Sequence, residues 1–279
     1  MINLDTYYAF KDITFTYQVT LYILSIGLFI TSLEDLKTWS VFQSEGILSW
    51  KVSKLGLRYT TKSPIAKLLN FCLNDKAFKG SIYLRIFGAI LLFIFSVFNI
   101  ISPSLLIALF FFKILIALRS PYGLDGAYQM HLVILFALSI GSLCGICSKI
   151  SIISLCFIAG ELVISYFISG ITKLTSPAWR KSFALNAIFS TRTYGHSLFF
   201  RLISQRNVLA TSMSWMIFLF ETLFFLVIFL HPMHAIVLLV TGLLFHLFNA
   251  VFMGLNDFLF AFSAAYPALI YCIHKIHLN

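Results

Sequence analysis

The chain has 279 residues, of which 60% are hydrophobic, 17% aromatic and only 11% charged, and its mean hydropathy is +0.94. These values exclude an ordinary soluble globular domain and predict a protein that crosses a membrane several times. The formal net charge of +10 does not indicate nucleic-acid binding. Most Lys and Arg residues lie between apolar segments, where lipid headgroups attract them, so the expected partner is the lipid bilayer.

Eight apolar stretches of the chain are candidates for membrane-crossing helices. About 20 helical residues are needed to span roughly 30 Å of hydrocarbon, because lipid cannot hydrogen-bond exposed backbone groups. The stretches cover residues 13–33, 81–101, 104–118, 128–147, 150–172, 211–230, 233–252 and 257–274, and the third is short. The sequence therefore predicts an all-α polytopic membrane protein, a bundle of about eight transmembrane helices in a single domain over residues 1–279.

Two longer connections interrupt this pattern, at residues 34–80 and 174–210. Both mix bulky apolar residues with Lys and Arg at irregular helical spacing, which is typical of short helices that lie in the membrane interface. They hold eight and five Lys and Arg residues, respectively. By the positive-inside rule, this charge predicts that both loops are cytoplasmic and that both chain termini are outside.

The stretch at residues 150–172, with the residue that follows it, carries polar side chains at a regular spacing. Glu161, Ser165, Ser169 and Lys173 recur every four residues, and on a helix they form one polar stripe. We expect this stripe to face other helices, because charge inside the bilayer is unfavourable. Two interpretations of Lys173 stay open: a base held in a dry pocket, or a cation that reaches the headgroups while the serines only join neighbouring helices.

Further polar candidates lie at two other places in the chain. His246 and Asn249 are three residues apart and share a helix face, where they could bind a polar ligand or steady another side chain. His131 follows a polar loop that contains Asp125, which could present polar groups or simply cap the helix. A buried histidine that only completes the helix bundle is the alternative for His246.

No metal site is predicted from the sequence. Cys144 and Cys147 form a CxxC motif, but the chain offers neither a second pair of zinc ligands nor a neighbouring βαβ pattern. The motifs of common soluble enzyme classes, such as a Walker loop, GxSxG or HExxH, do not occur in a suitable context. The absence of these motifs does not exclude a membrane-embedded enzyme.

Four stretches of the chain resemble motifs of the HTTM (horizontally transferred transmembrane) family, to which the vitamin K-dependent γ-glutamyl carboxylase belongs. They are "YFISGITKL" followed by Trp179, "SEGILSW" after the first helix, "RSPYGLDGAYQMHLVILFAL", and "LLFHLFNAVFMGLNDFLFAFSAAYPAL" near the end. The four occur in the family's order and extend over nearly the whole chain. In length the chain is similar to the short bacterial members, among them membrane proteins that help to mature the sporulation-delaying peptide toxin.

The resemblance implies a carboxylase-like or epoxidase-like chemistry in a bacterial cell membrane. Lys173 aligns with the family's catalytic base, which is uncharged when it removes a proton from a reduced quinone, and a secreted peptide is the implied substrate. His246, Asn249, Trp179, Asp125 and His131 are then candidates for ligand binding. The family's active site opens on the extracytoplasmic side, whereas the charge rule places the same loops in the cytoplasm, and these two expectations oppose each other.

Three functions fit the sequence. The first is a membrane enzyme that modifies or matures a secreted, toxin-like peptide through Lys173. The second is a non-catalytic immunity or binding partner that holds a peptide or a lipid-soluble molecule without a base. The third is a transporter, which the sequence favours least because it shows no broken helices in paired halves.

Overall fold

The structure is a computed structural model that describes residues 9–56, 64–120 and 124–277. Within these ranges the regular secondary structure is helical and no strand occurs. Seven of the described helical segments are long and apolar enough to cross a membrane: Ile13–Lys37, Asp75–Val97, Gly126–Leu143, Lys149–Thr175, Asn207–Ile228, Pro232–Met253 and Asn256–His277. The prediction of an all-α polytopic membrane protein is confirmed.

The described helices divide into two compact units, and each is taken by itself. The first unit covers residues 13–154 and the second is formed chiefly by residues 155–277. One long helix begins in the first unit and continues into the second. The single domain predicted for residues 1–279 stays a prediction.

The first unit contains four long helices and two short ones, all of them numbered here in chain order. The helices are α1 (Ile13–Lys37), α2 (Trp50–Gly56), α3 (Pro64–Cys72), α4 (Asp75–Val97), α5 (Pro103–Arg119) and α6 (Gly126–Leu143). A short 3₁₀ helix, Trp39–Val41, follows α1. Among these helices, α1 packs against α4, and α5 packs against both α4 and α6.

Helix α5 is the one predicted span that falls below the length of a full crossing. It has 17 residues, from Pro103 at its first turn to Arg119 at its last. The Arg119 guanidinium is fully buried and donates to the carbonyl oxygens of Leu73 (2.8 Å), Leu48 (3.2 Å) and Phe42, and to the Asp75 carboxylate (2.7 Å). These bonds satisfy a charge that would otherwise be buried alone, and they fix the end of α5 at Arg119.

The second unit contains four long helices and three short ones. They are α7 (Lys149–Thr175), α8 (Pro177–Arg180), α9 (Phe183–Ser190), α10 (Ser197–Ser204), α11 (Asn207–Leu223), α12 (Pro232–Met253) and α13 (Asn256–His277). A 3₁₀ turn, Phe224–Ile228, extends α11. A left-handed glycine, Gly254 (φ 71°), ends α12 and lets α13 begin two residues later.

The short helices predicted for the two long connections are present. Residues 34–80 contain Trp39–Val41, α2 and α3, and residues 174–210 contain α8, α9 and α10. Helix α4 begins at Asp75, six residues before the predicted start at residue 81, because the Asn74 side chain caps it by accepting from the Ala77 amide at 3.0 Å. Whether the short helices lie in the membrane interface stays a prediction.

Candidate functional site

The second unit encloses a cavity of about 520 Å³. Its walls come from α7, α8, α9, α11, α12, the Gly254–Leu255 turn and α13, and most of the lining side chains are Phe, Leu, Ile and Met. A few polar side chains converge on this apolar space, among them Lys173, Glu221, His246 and Asn249. An apolar cavity with a small number of convergent polar groups is the usual form of a small-molecule site.

The first polar group of the cavity is an ion pair between two helices. The Lys173 ammonium lies 2.6 Å from Glu221 Oε2 and donates to Ser169 Oγ at 2.5 Å, while Ser169 Oγ donates to Glu221 Oε1 at 3.3 Å. Side-chain exposure is 18% for Lys173 and 6% for Glu221. Ser169 and Lys173 are four residues apart on α7, so both face α11, where Glu221 lies.

A glycine brings the two helices of this ion pair together. A β-carbon at Gly170 would collide with the backbone nitrogen and the side chain of Thr222, the residue after Glu221. Helix α11 therefore lies against the α7 backbone at this point, as small residues permit in membrane helices. This close approach is what places the Glu221 carboxylate within reach of Lys173.

Trp179 covers the ion pair from the loop after α7. Its ring centroid lies 5.5 Å from Lys173 Nζ, within the range of a cation–π contact. Pro177 starts the one-turn helix α8 that carries the tryptophan. The Lys173 ammonium thus has three partners: a carboxylate, a hydroxyl and an aromatic face.

The second polar group of the cavity is a chain of three buried side chains from α7, α12 and α13. Tyr166 Oη lies 2.7 Å from His246 Nε2 and 2.9 Å from Tyr266 Oη. Tyr166 and His246 are 2% and 3% exposed, so water does not compete for these bonds. A β-carbon at Gly242 would collide with Tyr266 Oη and lie 3.0 Å from Tyr166 Oη, so the glycine leaves room for both hydroxyls.

Four of the six predicted site residues line this one cavity. They are Lys173, Trp179, His246 and Asn249, and the last two lie one turn apart on the same face of α12, as their spacing predicts. Of the predicted polar stripe, Ser165, Ser169 and Lys173 line the cavity, but Glu161 does not.

The other two predicted residues, Asp125 and His131, belong to the first unit and are not among the lining residues. Asp125 caps α6 by accepting from the Tyr128 amide at 2.8 Å, which is the alternative that the sequence left open. His131 is fully buried in α6.

Sequence reasoning assigned no role to Glu221, Tyr166 or Tyr266. Glu221 is an acidic residue in an apolar stretch, which was a signal that it has a partner. The two tyrosines carried no such signal, because tyrosine is common in membrane helices. Their hydrogen bonds join residues 80 and 100 positions apart, and no local spacing encodes such a contact.

Within the described residues, no group of three or more His, Cys, Asp or Glu side chains could hold a metal ion. The fold and the site define an integral membrane protein with a small, mostly apolar cavity and two buried polar clusters. In comparisons with known proteins, no family model matches the chain, and no curated protein and no solved structure matches it either. The resemblance to the HTTM family therefore stays a prediction.

Proposed function

We propose that this protein is an HTTM-like protein of the bacterial cell membrane that takes part in the modification or maturation of a secreted, toxin-like peptide. In this proposal, the Lys173–Glu221 pair removes a proton from a ligand that is held in the cavity of the second unit. The observation that carries the proposal is the 2.6 Å ion pair in the wall of an otherwise apolar cavity of about 520 Å³. Groups that must move protons are usually held in such water-poor clefts.

The ion pair is neutral as a whole, and it can gain one proton. When a ligand hydroxyl gives up its proton, the pair takes it and becomes a protonated carboxyl beside an ammonium. The ligand is left with a negative oxygen, and the ammonium stabilises that charge at short range. In this scheme Glu221 accepts the proton and the Lys173 ammonium stabilises the negative oxygen, which differs from the uncharged lysine base that the resemblance implies.

The remaining polar groups of the cavity orient the ligand. Asn249 offers an amide that can donate and accept, and Trp179 offers a flat apolar face beside the ammonium. The bonded chain of Tyr166, His246 and Tyr266 holds three helices at fixed positions around the cavity. Such fixed positions favour catalysis because the reacting groups need no rearrangement.

A reduced quinone, the cofactor implied by the resemblance, fits the residues present. Its apolar ring and chain match the Phe, Leu, Ile and Met side chains of the wall, and its hydroxyl matches the Lys173–Glu221 pair. When bound, such a cofactor would supply an acidic hydroxyl and reducing power. The residues that would hold it are Lys173, Glu221, Asn249 and Trp179.

The test is mass spectrometry of candidate secreted peptides made with and without this protein. We expect a mass change, such as a gain of about 44 Da for a carboxyl group, that depends on the protein. Lys173→Ala should abolish the change, because the pair then lacks its cation. Lys181→Ala, which removes an exposed lysine of the same loop, is the matched control and should leave it intact. A full yield of modified peptide with folded Lys173→Ala would overturn the proposal.

A second candidate is a non-catalytic immunity or binding partner, and one observation favours it. The Lys173 ammonium already has a carboxylate, a hydroxyl and a tryptophan ring as partners, so its presence is explained without a proton transfer to or from a ligand. This candidate predicts that Lys173→Ala still supports peptide maturation or immunity. Substitutions around Trp179, which lines the cavity, would abolish it.

A further inference from the structure

Two cysteines of the second unit lie in direct contact, away from the site described above. Cys156 is on α7 and Cys272 is on α13, and their sulfur atoms are 3.5 Å apart. Cys156 is exposed and Cys272 is half-buried. A disulfide bond requires about 2.05 Å between the sulfurs, so the two thiols need to approach by only about 1.5 Å.

Cys156 lies near the start of α7, and Cys272 lies near the end of α13. Cys156 is seven residues after the first residue of α7, and Cys272 is five residues before the last residue of α13. At 1.5 Å of rise per residue, these distances are about 10 Å and 8 Å. Lys173 is 17 residues further along α7, about 25 Å from Cys156 and close to the opposite end of the helix.

We propose that Cys156 and Cys272 are a redox pair that forms a reversible disulfide between the first and last helices of the second unit. Both partners are already in contact, one of them lies on the outer surface of the unit, and neither belongs to the cavity lining. The proposal is independent of the proposed function and needs no ligand in the cavity.

The reaction is a thiol–disulfide exchange with an oxidant that itself carries a disulfide. Deprotonated Cys156, the exposed thiol, attacks one sulfur of the oxidant, which forms a mixed disulfide and releases the first oxidant thiol. Deprotonated Cys272 then attacks the Cys156 sulfur, which forms the Cys156–Cys272 bond and releases the second oxidant thiol. The cysteines lose two electrons and two protons, and the oxidant gains them as its two thiols.

The disulfide would join two helices that also contribute to the cavity. The helices that it joins also carry Tyr166 and Tyr266, whose hydroxyls are 2.9 Å apart. Tyr166 is ten residues after Cys156, and Tyr266 is six residues before Cys272. The bond would therefore hold α7 and α13 together between the membrane edge and the hydrogen-bonded chain.

The experiment uses the full chain with Cys72, Cys144 and Cys147 changed to Ser, so that only the pair remains. A protease site is placed in the exposed loop at residues 191–194, between the two cysteines. Membranes are treated with dithiodipyridine, a disulfide that enters the bilayer, cleaved and separated without reductant. We expect the two fragments to stay joined after oxidation and to separate after dithiothreitol.

The matched controls are the same chain with Cys156→Ser or Cys272→Ser, whose fragments should separate under every condition. A maleimide tag counts the free thiols: we expect two tags before oxidation and at least a tenfold loss of tagging afterwards when both cysteines are present. In the Cys272→Ser control, Cys156 stays as a mixed disulfide with the oxidant, so its tag returns only after dithiothreitol. Fragments that separate after oxidation, with two thiols still tagged in folded protein, would overturn the proposal. Joining through two different chains, visible as a dimer before cleavage, would overturn it too.

Discussion

At the scale of single residues, the Lys173–Glu221 pair distinguishes Lys173 from a lysine that only marks the membrane edge. A lysine that only marks the membrane edge extends to the headgroups and needs no partner. Here the Lys173 side chain is 18% exposed and its ammonium turns back to a carboxylate on another helix. A carboxylate that is 6% exposed depends on its partner, because a buried charge alone is strongly unfavourable.

Loss of the Glu221 charge should therefore destabilise the protein. We expect Glu221→Gln to lower the free energy of unfolding by about 3 kcal/mol, since it leaves a mostly buried ammonium without its counter-charge. Thermal unfolding in detergent measures the effect, and Glu161→Gln, outside the cavity lining, is the control. The double change Lys173→Met with Glu221→Leu should recover most of the lost stability but no peptide modification. Recovery of both would show that the pair is structural only.

The sequence predicted part of this site, because its signals are local. Spacing of four residues identified the α7 stripe that ends at Lys173, and spacing of three residues identified His246 and Asn249. The partner of Lys173, 48 positions away, and the tyrosine pair, 100 positions apart, depend on how helices pack. For Asp125, the polar loop that contains it suggested ligand binding or helix capping, and the structure shows that it caps α6.

At the scale of helices, glycines determine where α7 approaches its neighbours. The chain has two α7 glycines in different surroundings: a β-carbon at Gly170 would collide with Thr222 of α11, whereas a β-carbon at Gly160 meets nothing within 4 Å. The distance between α7 and α11, and with it the ion pair, thus depends on Gly170. Helix bounds were predictable to within about six residues, but these contact points were not, because apolar helix faces in lipid look alike in sequence.

This difference gives a matched pair of substitutions on one helix. We expect Gly170→Ala to push α11 away, to cost about 1–3 kcal/mol of stability and to reduce the function that depends on Lys173. Gly160→Ala should leave stability and function unchanged or slightly improved, because alanine favours the helix. Thermal unfolding and peptide modification measure both variants. Equal behaviour of the two would contradict the close approach of α7 and α11.

At the scale of the whole molecule, the number of crossings depends on α5. Seven described helical segments meet the length of a span, and α5, with 17 residues, is about 25 Å long. It nevertheless packs against α4 and α6 and is strongly apolar apart from Lys113 and Arg119. A slightly short helix can still cross, since a bilayer thins locally at modest cost.

We therefore expect α5 to cross, which makes eight crossings in all. An even number places the N-terminus and the C-terminus on the same side of the membrane, and the charge rule predicts the outside for both. Reporter fusions at each end, one active only in the cytoplasm and one only outside, measure this directly. Termini on opposite sides would mean that α5 does not cross. Termini that are both cytoplasmic would favour the orientation implied by the HTTM resemblance.

The length of α7 has a consequence for how reactants could meet. Its 27 residues make a rod of about 40 Å, which exceeds the roughly 30 Å of hydrocarbon. In a helix of this length centred on the bilayer, Lys173, two residues from the helix end, lies about 16 Å from the midplane, at the edge of the hydrocarbon. A lipid-soluble molecule that diffuses within the bilayer and a peptide from the aqueous phase could both contact the Lys173 ammonium there. The lipid-soluble molecule could stay in the hydrocarbon, and the peptide could stay in water.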